Sequence, residues 1–275
     1  MSDMQQDDHV LNDNVVNDNV VNDKVALACR ILASEGLSRV SSGHVSVRTD
    51  VPGVIAMRGR LPTDTGLKYA TASDVVRVTL DGEVVGNSIA RPPRESFLHL
   101  EIFRARPDVQ SVVHVHPRWV VALRAAGVRL EPIYGAYDPE GLSLALGEIA
   151  YFHSSRLIDN PEAGRELATV LGDKPACVLD GHGIVTVGPS IESAVLTAIA
   201  LDELARVTCL AASMGPLTTI SDDDCEAFAG VVEALRSPPP TSSGSVRPTE
   251  AAWQHWVERE RRGNHFMTAN ETKRD

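Results

Sequence analysis

The chain has 275 residues, 43% of them apolar and 23% charged, with a formal net charge of −11. That length fits one or two domains around a sizeable core, and the balance is that of an ordinary globular protein. The acid excess argues against binding to nucleic acid or an anionic membrane surface, and no apolar run approaches the roughly 20 residues that span a bilayer.

The opening MSDMQQDDHVLNDN is acidic and polar, unlike a secretory signal. Residues 11–25 repeat a five-residue unit of Asn, Asp and Val, a period that matches neither helix nor strand. Residues 1–23 are therefore expected to be a disordered, low-complexity arm. A helix is predicted from an N-cap at Asp23 through KVALACRILASEGL, stopping near Gly36. Short strands follow at 44–48 (HVSVR), 54–57 (VIAM) and 75–85, the last folded as a hairpin about Asp81-Gly82. A helix over 95–106 ends before Pro107, and a strand over 111–116 leads into a helix starting at Pro117. Residues 127–160 are irregular and hold Tyr134, Tyr137, Tyr151 and His153. Beyond them come a helix (161–172), strands at 176–180 and 183–188, a long helix from Ser190 to about Ala212, and a helix over 222–236. The predicted organisation is one α/β domain over 24–236, then, over 237–275, a Pro/Ser-rich linker and a tethered amphipathic helix. Cys29, Cys177, Cys209 and Cys225 show no CxxC spacing and read as reduced residues of a cytoplasmic protein.

Within SVVHVHPRW, His114 and His116 are two apart in an extended run, so both imidazoles leave one face of the strand, a pleat apart. That suits two ligands on one metal ion. Glu95 opens the preceding helix, where a carboxylate suits the positive end of the dipole. It reaches the histidines only if the connection folds back. His99 lies four residues on, on the same helical face, suited to bonding Glu95 or supporting the site from behind. His182, between Gly181 and Gly183, sits on a tight turn joining two apolar strands. Three imidazoles and a carboxylate suit zinc, Mn(II) or Fe(II), with positions left for substrate.

The runs ASEGLSRVSSGHVSVR, TASDVVRVTLDGEVV, RESFLHLEIFRARPDVQSVVHVHP and VLDGHGIVTVGPSIESAVLTAIALDELARV resemble the class II aldolase/adducin family over residues 24–236. The resemblance implies a three-layer α/β/α sandwich with a largely antiparallel central sheet. It also implies a site at a subunit interface of a homo-oligomer, often a tetramer, with Glu95, His114, His116 and His182 around the metal. Two departures bear on the substrate. The first glycine turn reads Ser42-Gly43-His44-Val45-Ser46, with histidine where the sugar-phosphate aldolases carry asparagine. The later loop, LPTDTGLKYAT, lacks their Ser-Gly pair, so a phosphate cradle is half lost. Arg58, Arg60, Arg91 and Arg94 are instead candidates to hold a carboxylate.

Length, the Asn/Asp-rich arm and the GHVSVR and HVHP runs look most like a group of non-haem iron oxygenases in this fold. Those enzymes convert prenylated 4-hydroxyphenylpyruvate to the benzoate in aminocoumarin antibiotic biosynthesis. The resemblance thus implies an Fe(II)-dependent oxygenase (a dioxygenase-type oxidoreductase) taking an aromatic 2-oxo or 2-hydroxy acid and O2. Glu95 is then catalytic as well as a ligand, and His44, Ser46, Arg94 and Tyr134 are candidate substrate residues. The alternatives are a zinc or manganese aldolase or aromatic-carboxylate decarboxylase on an unphosphorylated substrate, and a non-catalytic interaction module as in adducin.

Overall fold

A computed structural model describes residues 4–236 and 248–271, with side chains over 19–147, 149–230 and 249–263. Seven strands form one sheet: β1 (His44–Arg48), β2 (Val54–Arg58), β3 (Val75–Thr79), β4 (Ser111–Val115), β5 (Ile149–Phe152), β6 (Ala176–Leu179) and β7 (Gly183–Gly188). Their order is β3-β2-β1-β4-β7-β6-β5, and every neighbouring pair is antiparallel except β5 and β6. The helices are α1 (Met4–Ser34), α2 (Ser96–Ala105), α3 (Arg118–Ala125), α4 (Pro139–Ser143), α5 (Pro161–Leu171), α6 (Ile191–Met214), α7 (Asp222–Arg236) and α8 (Pro248–Glu271).

Period-two alternation along the strands divides the apolar side chains between two cores. Val112, Cys177, Leu179, Val185 and Val187 pack with Leu98 and Phe103 of α2 and Leu167 and Leu171 of α5. Their neighbours Val113, Val115, Val178 and Ile184 face α1, α3 and α6 through Ile31, Leu32, Leu123 and Leu201. The result is the expected α/β/α sandwich.

Several expectations change. The first helix does not start at Asp23 but runs from Met4, through the repeat read as a disordered arm. Asn, Asp and Val cost only tenths of a kcal/mol each in a helix, and no Gly or Pro interrupts residues 4–34. A helix anchored by Val25, Cys29 and Leu32 can therefore propagate back toward the N-terminus. The Asp81-Gly82 turn forms, with Gly82 at φ 89°, but its second arm pairs through one isolated bridge, Val78 with Val84. Within the stretch read as irregular lie α4, a π-turn and the edge strand β5. Residues 237–247, read as the linker, lie outside the described residues.

The C-terminal helix α8 is docked on the domain. Trp253 is buried in the α1/α6 core, Arg30 Nε bonds Glu260 Oε1 at 2.7 Å, and Arg259 pairs with Glu35 at 3.1 Å. Truncating a buried Trp costs about 3 kcal/mol. Trp253→Ala should thus lower the melting temperature by roughly 6–12 °C in a scanning calorimeter. A shift under a degree or two would mean that α8 contributes no stability.

Among the described residues no helix is long and apolar enough to cross a membrane. All four cysteines are free; Cys29 and Cys177 are buried, Cys209 and Cys225 half-buried.

Candidate metal centre

The sheet's central strands build the floor of the site. His114 is on the same side of β4 as Val112, under α2, and the register sets His44 of β1 directly opposite it. After α2 the chain turns over 106–110 and returns as β4, antiparallel to the helix. The start of α2 therefore meets the end of β4, the fold-back that Glu95 requires. Glu95 is the residue preceding α2, and its Oε2 lies 3.6 Å from His114 Nε2. His182 enters from the β6–β7 turn, where Gly181 takes φ 64°. Gly183 must lack a side chain, because a Cβ there would overlap the Val115 carbonyl and the His116 ring.

Glu95, His114, His116 and His182 converge, each offering a ligand atom within 4.8 Å of the others. His114 Nε2 is 2.9 Å from His116 Nε2, and His182 Nε2 is 3.4 Å from Glu95 Oε1. Donors bound at about 2.0–2.1 Å to one tetrahedral ion lie roughly 3.3 Å apart, so these separations suit a shared ion. His182 adds a second observation: both its ring nitrogens are buried without a hydrogen-bond partner. Buried polar atoms are rarely left unpaired, and an ion satisfies one of these. The residues present fit a divalent metal.

Backbone groups orient the ligands. His114 Nδ1 lies 2.9 Å from the Ile184 carbonyl; donating there leaves Nε2 free as a ligand. The Ile158 N–H donates to Glu95 Oε1 at 3.1 Å. Burial alone would raise the Glu95 carboxyl, but the facing His114 and His182 imidazoles and the Ile158 N–H outweigh it and hold it well below the usual carboxylate range. Burial, then the neighbouring His114 and His182, push His116 down to about 3, so it is neutral and ligand-ready at ordinary pH.

A second tier lies behind His44. His44 Nδ1 is 3.3 Å from His99 Nε2, and Ser46 Oγ is 2.6 Å from His99 Nδ1. His99 therefore supports His44 rather than Glu95, although it lies one turn along from the carboxylate. Ser46, read as a substrate residue, is fully buried and spends its hydroxyl on His99. Arg94 is exposed and paired with Asp159 at 3.2 Å. Tyr134 belongs to the core on the far side of the sheet and donates to Asp138 Oδ2 at 3.4 Å. None of the three meets the cluster: β1's alternation turns Ser46 under α2, and the loops carrying Arg94 and Tyr134 give no face to read. Sequence reasoning also missed Asp180, which anchors the His182 turn by accepting from Arg124 Nε and pairing with His153 Nδ1, each at 2.8 Å. Its place just before Gly181 was the available signal.

Burial, with the charge of His114 next, lowers His99 to about 3. A histidine whose folded value is depressed adds stability above its unfolded value near 6.5, lost as pH falls toward 3. Burial raises Asp202 to about 7, which opposes this trend over the upper part of the same window. Thermal melts of metal-free His99→Gln should therefore fall less steeply between pH 6.5 and 4 than those of the unaltered protein. Equal slopes would remove His99 as the cause.

A family model described as Class II Aldolase and Adducin N-terminal domain matches residues 23–209. Over 240 residues the chain is 37% identical to a 3,4-dihydroxyphthalate decarboxylase of Rhodococcus jostii (strain RHA1), covering 86% of this chain and 93% of that one. It is 42% identical over 197 residues to a 3,4-dihydroxyphthalate decarboxylase of Terrabacter sp. (strain DBF63), covering 70% and 81%. The crystal structure of an aldolase II superfamily protein from Pseudomonas syringae superposes with a TM-score of 0.75 at 23% identity, covering 90% of this chain and 94% of that one, a likeness of fold.

Proposed function

The chain belongs to the Class II Aldolase and Adducin N-terminal domain family, and from that premise we propose that it is a divalent-metal-dependent decarboxylase of a dihydroxylated aromatic dicarboxylate. The oxygenase expectation is corrected, because relatives at 37–42% identity are decarboxylases. With it go O2 as a co-substrate, the oxidoreductase and dioxygenase descriptions, and a role in antibiotic biosynthesis. The preference for Fe(II) also loses its ground, since loss of CO2 from an aromatic acid transfers no electrons to an oxidant. Zn(II) and Mn(II) serve the same ligands.

The observation that carries this reading is the convergence of Glu95, His114, His116 and His182 in a chain so similar to decarboxylases. When the carboxylate–ring bond breaks, its electron pair stays on the ring carbon, which takes up a proton as CO2 leaves. Glu95, His114, His116 and His182 would hold a divalent ion, and that ion would supply the Lewis-acid charge that stabilises this pair. Glu95 stays ionised as an anionic ligand, and the His114, His116 and His182 imidazoles complete the set. His44, its ring 5.4 Å from that of His114, is the group we assign to hold or pass the proton, with His99 and Ser46 fixing its orientation. The intact donor set also speaks against a purely interactional role. We keep a homo-oligomer within the proposal, to be tested by light scattering.

The protein, loaded separately with Mn(II), Zn(II) or Fe(II), should release one CO2 per 3,4-dihydroxyphthalate and leave a dihydroxybenzoate, at equal rates in air and under nitrogen. No release with any metal, or release only in air, would sink the reading.

A further inference from the structure

The four candidate arginines are sorted by the fold. Arg58 is buried and bonds Asp64 Oδ1 at 2.5 Å, and Arg94 is committed to Asp159. Arg60 and Arg91 differ. They face each other across an isolated antiparallel bridge, Arg60 N donating to Arg91 O at 2.8 Å and Arg91 N to Arg60 O at 3.0 Å. Directly opposed residues project to one face, and like charges there repel unless something negative sits between them. Asp64 compensates Arg60 through one contact at 3.2 Å. Among the described residues Arg91 has no acidic partner, and its Nη1 donates to the Ser88 carbonyl at 3.0 Å.

These two side chains line a cavity of about 570 Å³, with Leu61, Pro62 and Ile89 as an apolar wall and Ser88 beside them. Ile89 is 76% exposed. A short stretch of chain joins the cavity's lining to the metal centre. Arg91 is four residues upstream of Glu95, so their Cα atoms are at most roughly 14 Å apart. Arg60 lies two residues past the end of β2, the strand paired with β1, which carries His44.

We propose that Arg60 and Arg91 form the receptor for the carboxylate that the aromatic diacid retains, with its ring against Leu61 and Ile89, while the other carboxylate is lost at the metal centre. The inference rests on the decarboxylase reading and adds the element that selects a dicarboxylate over a monocarboxylate. A guanidinium fork matches a carboxylate's two oxygens, and a pair of arginines whose carboxylate, Asp64, is shared with Arg58 keeps the positive charge such a ligand neutralises.

The test uses the full-length, metal-loaded protein with Arg91→Gln and Arg91→Lys. The kcat/KM ratio of 3,4-dihydroxyphthalate to 2,3-dihydroxybenzoate should fall about tenfold or more in Arg91→Gln, mostly through KM, as expected for losing a charged hydrogen-bond partner. Arg91→Lys should recover part of it, keeping charge without the fork. Calorimetric binding of phthalate should weaken by a similar factor. An unchanged ratio with unchanged phthalate affinity would overturn the receptor. So would inorganic phosphate binding more tightly than phthalate and lost in Arg91→Gln, which would make the pair a phosphate site. If the unaltered protein turns over neither compound the decarboxylase reading fails, and phthalate binding that depends on Arg91 still upholds the receptor.

Discussion

His116→Ala is expected to weaken divalent-metal affinity at least about 100-fold and to abolish decarboxylation, while the domain stays folded. Losing an outer partner of a ligand costs 10–100-fold, and His116 is itself a donor, 2.9 Å from His114 Nε2. It is the suitable variant because it stands half-buried just past the end of β4, whereas His114 is wholly buried, so truncating His114 adds a cavity penalty. Metal titration with a chromogenic chelator, beside far-ultraviolet circular dichroism, separates the effects. Unchanged metal affinity would return His116 to an ordinary strand-end residue.

The second large effect is expected from Glu95→Gln. The substitution keeps shape but removes the negative charge and puts an NH2 where only acceptors are useful. One oxygen accepts from Ile158 N–H and both lie toward imidazoles, so either amide orientation sets a donor against Ile158 N–H or into the ligand cluster. Leaving a buried donor unpaired costs about 1–3 kcal/mol. With the lost charge at the metal, turnover should fall at least about 100-fold. Steady-state kinetics at saturating metal decide it, and a loss below tenfold would remove the charge of Glu95 from the reaction.

Much of the centre was legible in the chain. Period two placed His114 and His116 on one face, and the Gly-His-Gly run placed His182 on a turn. Glu95 was readable as the start of α2, but its meeting with His114 depends on α2 and β4 running back to back, a property of the connection rather than of any residue. β5 was missed because IAYF is only four residues long and follows Gly147 (φ 113°) and a π-turn that break the pattern before it. The α1 repeat misled because an absence of amphipathic period was taken for an absence of helix. The choice between oxygenase and decarboxylase was not legible at all. Three imidazoles and a carboxylate serve both chemistries, and it was the likeness to decarboxylases, not any residue of the centre, that decided between them.

The strand order has a consequence for biosynthesis. His44 and His114 are partners across β1 and β4, and His114 is tied to Ile184 of β7, 70 residues further along. Each pairing closes a long loop, and such pairings form slowly. The ligand set is therefore complete only once the chain has been synthesised beyond β7 and the three central strands have zipped together. Until then a nascent chain carries Glu95, His114 and His116 without the strand pairing that brings them together with His182. Metal binding by this cluster is therefore expected to follow the pairing of β1, β4 and β7.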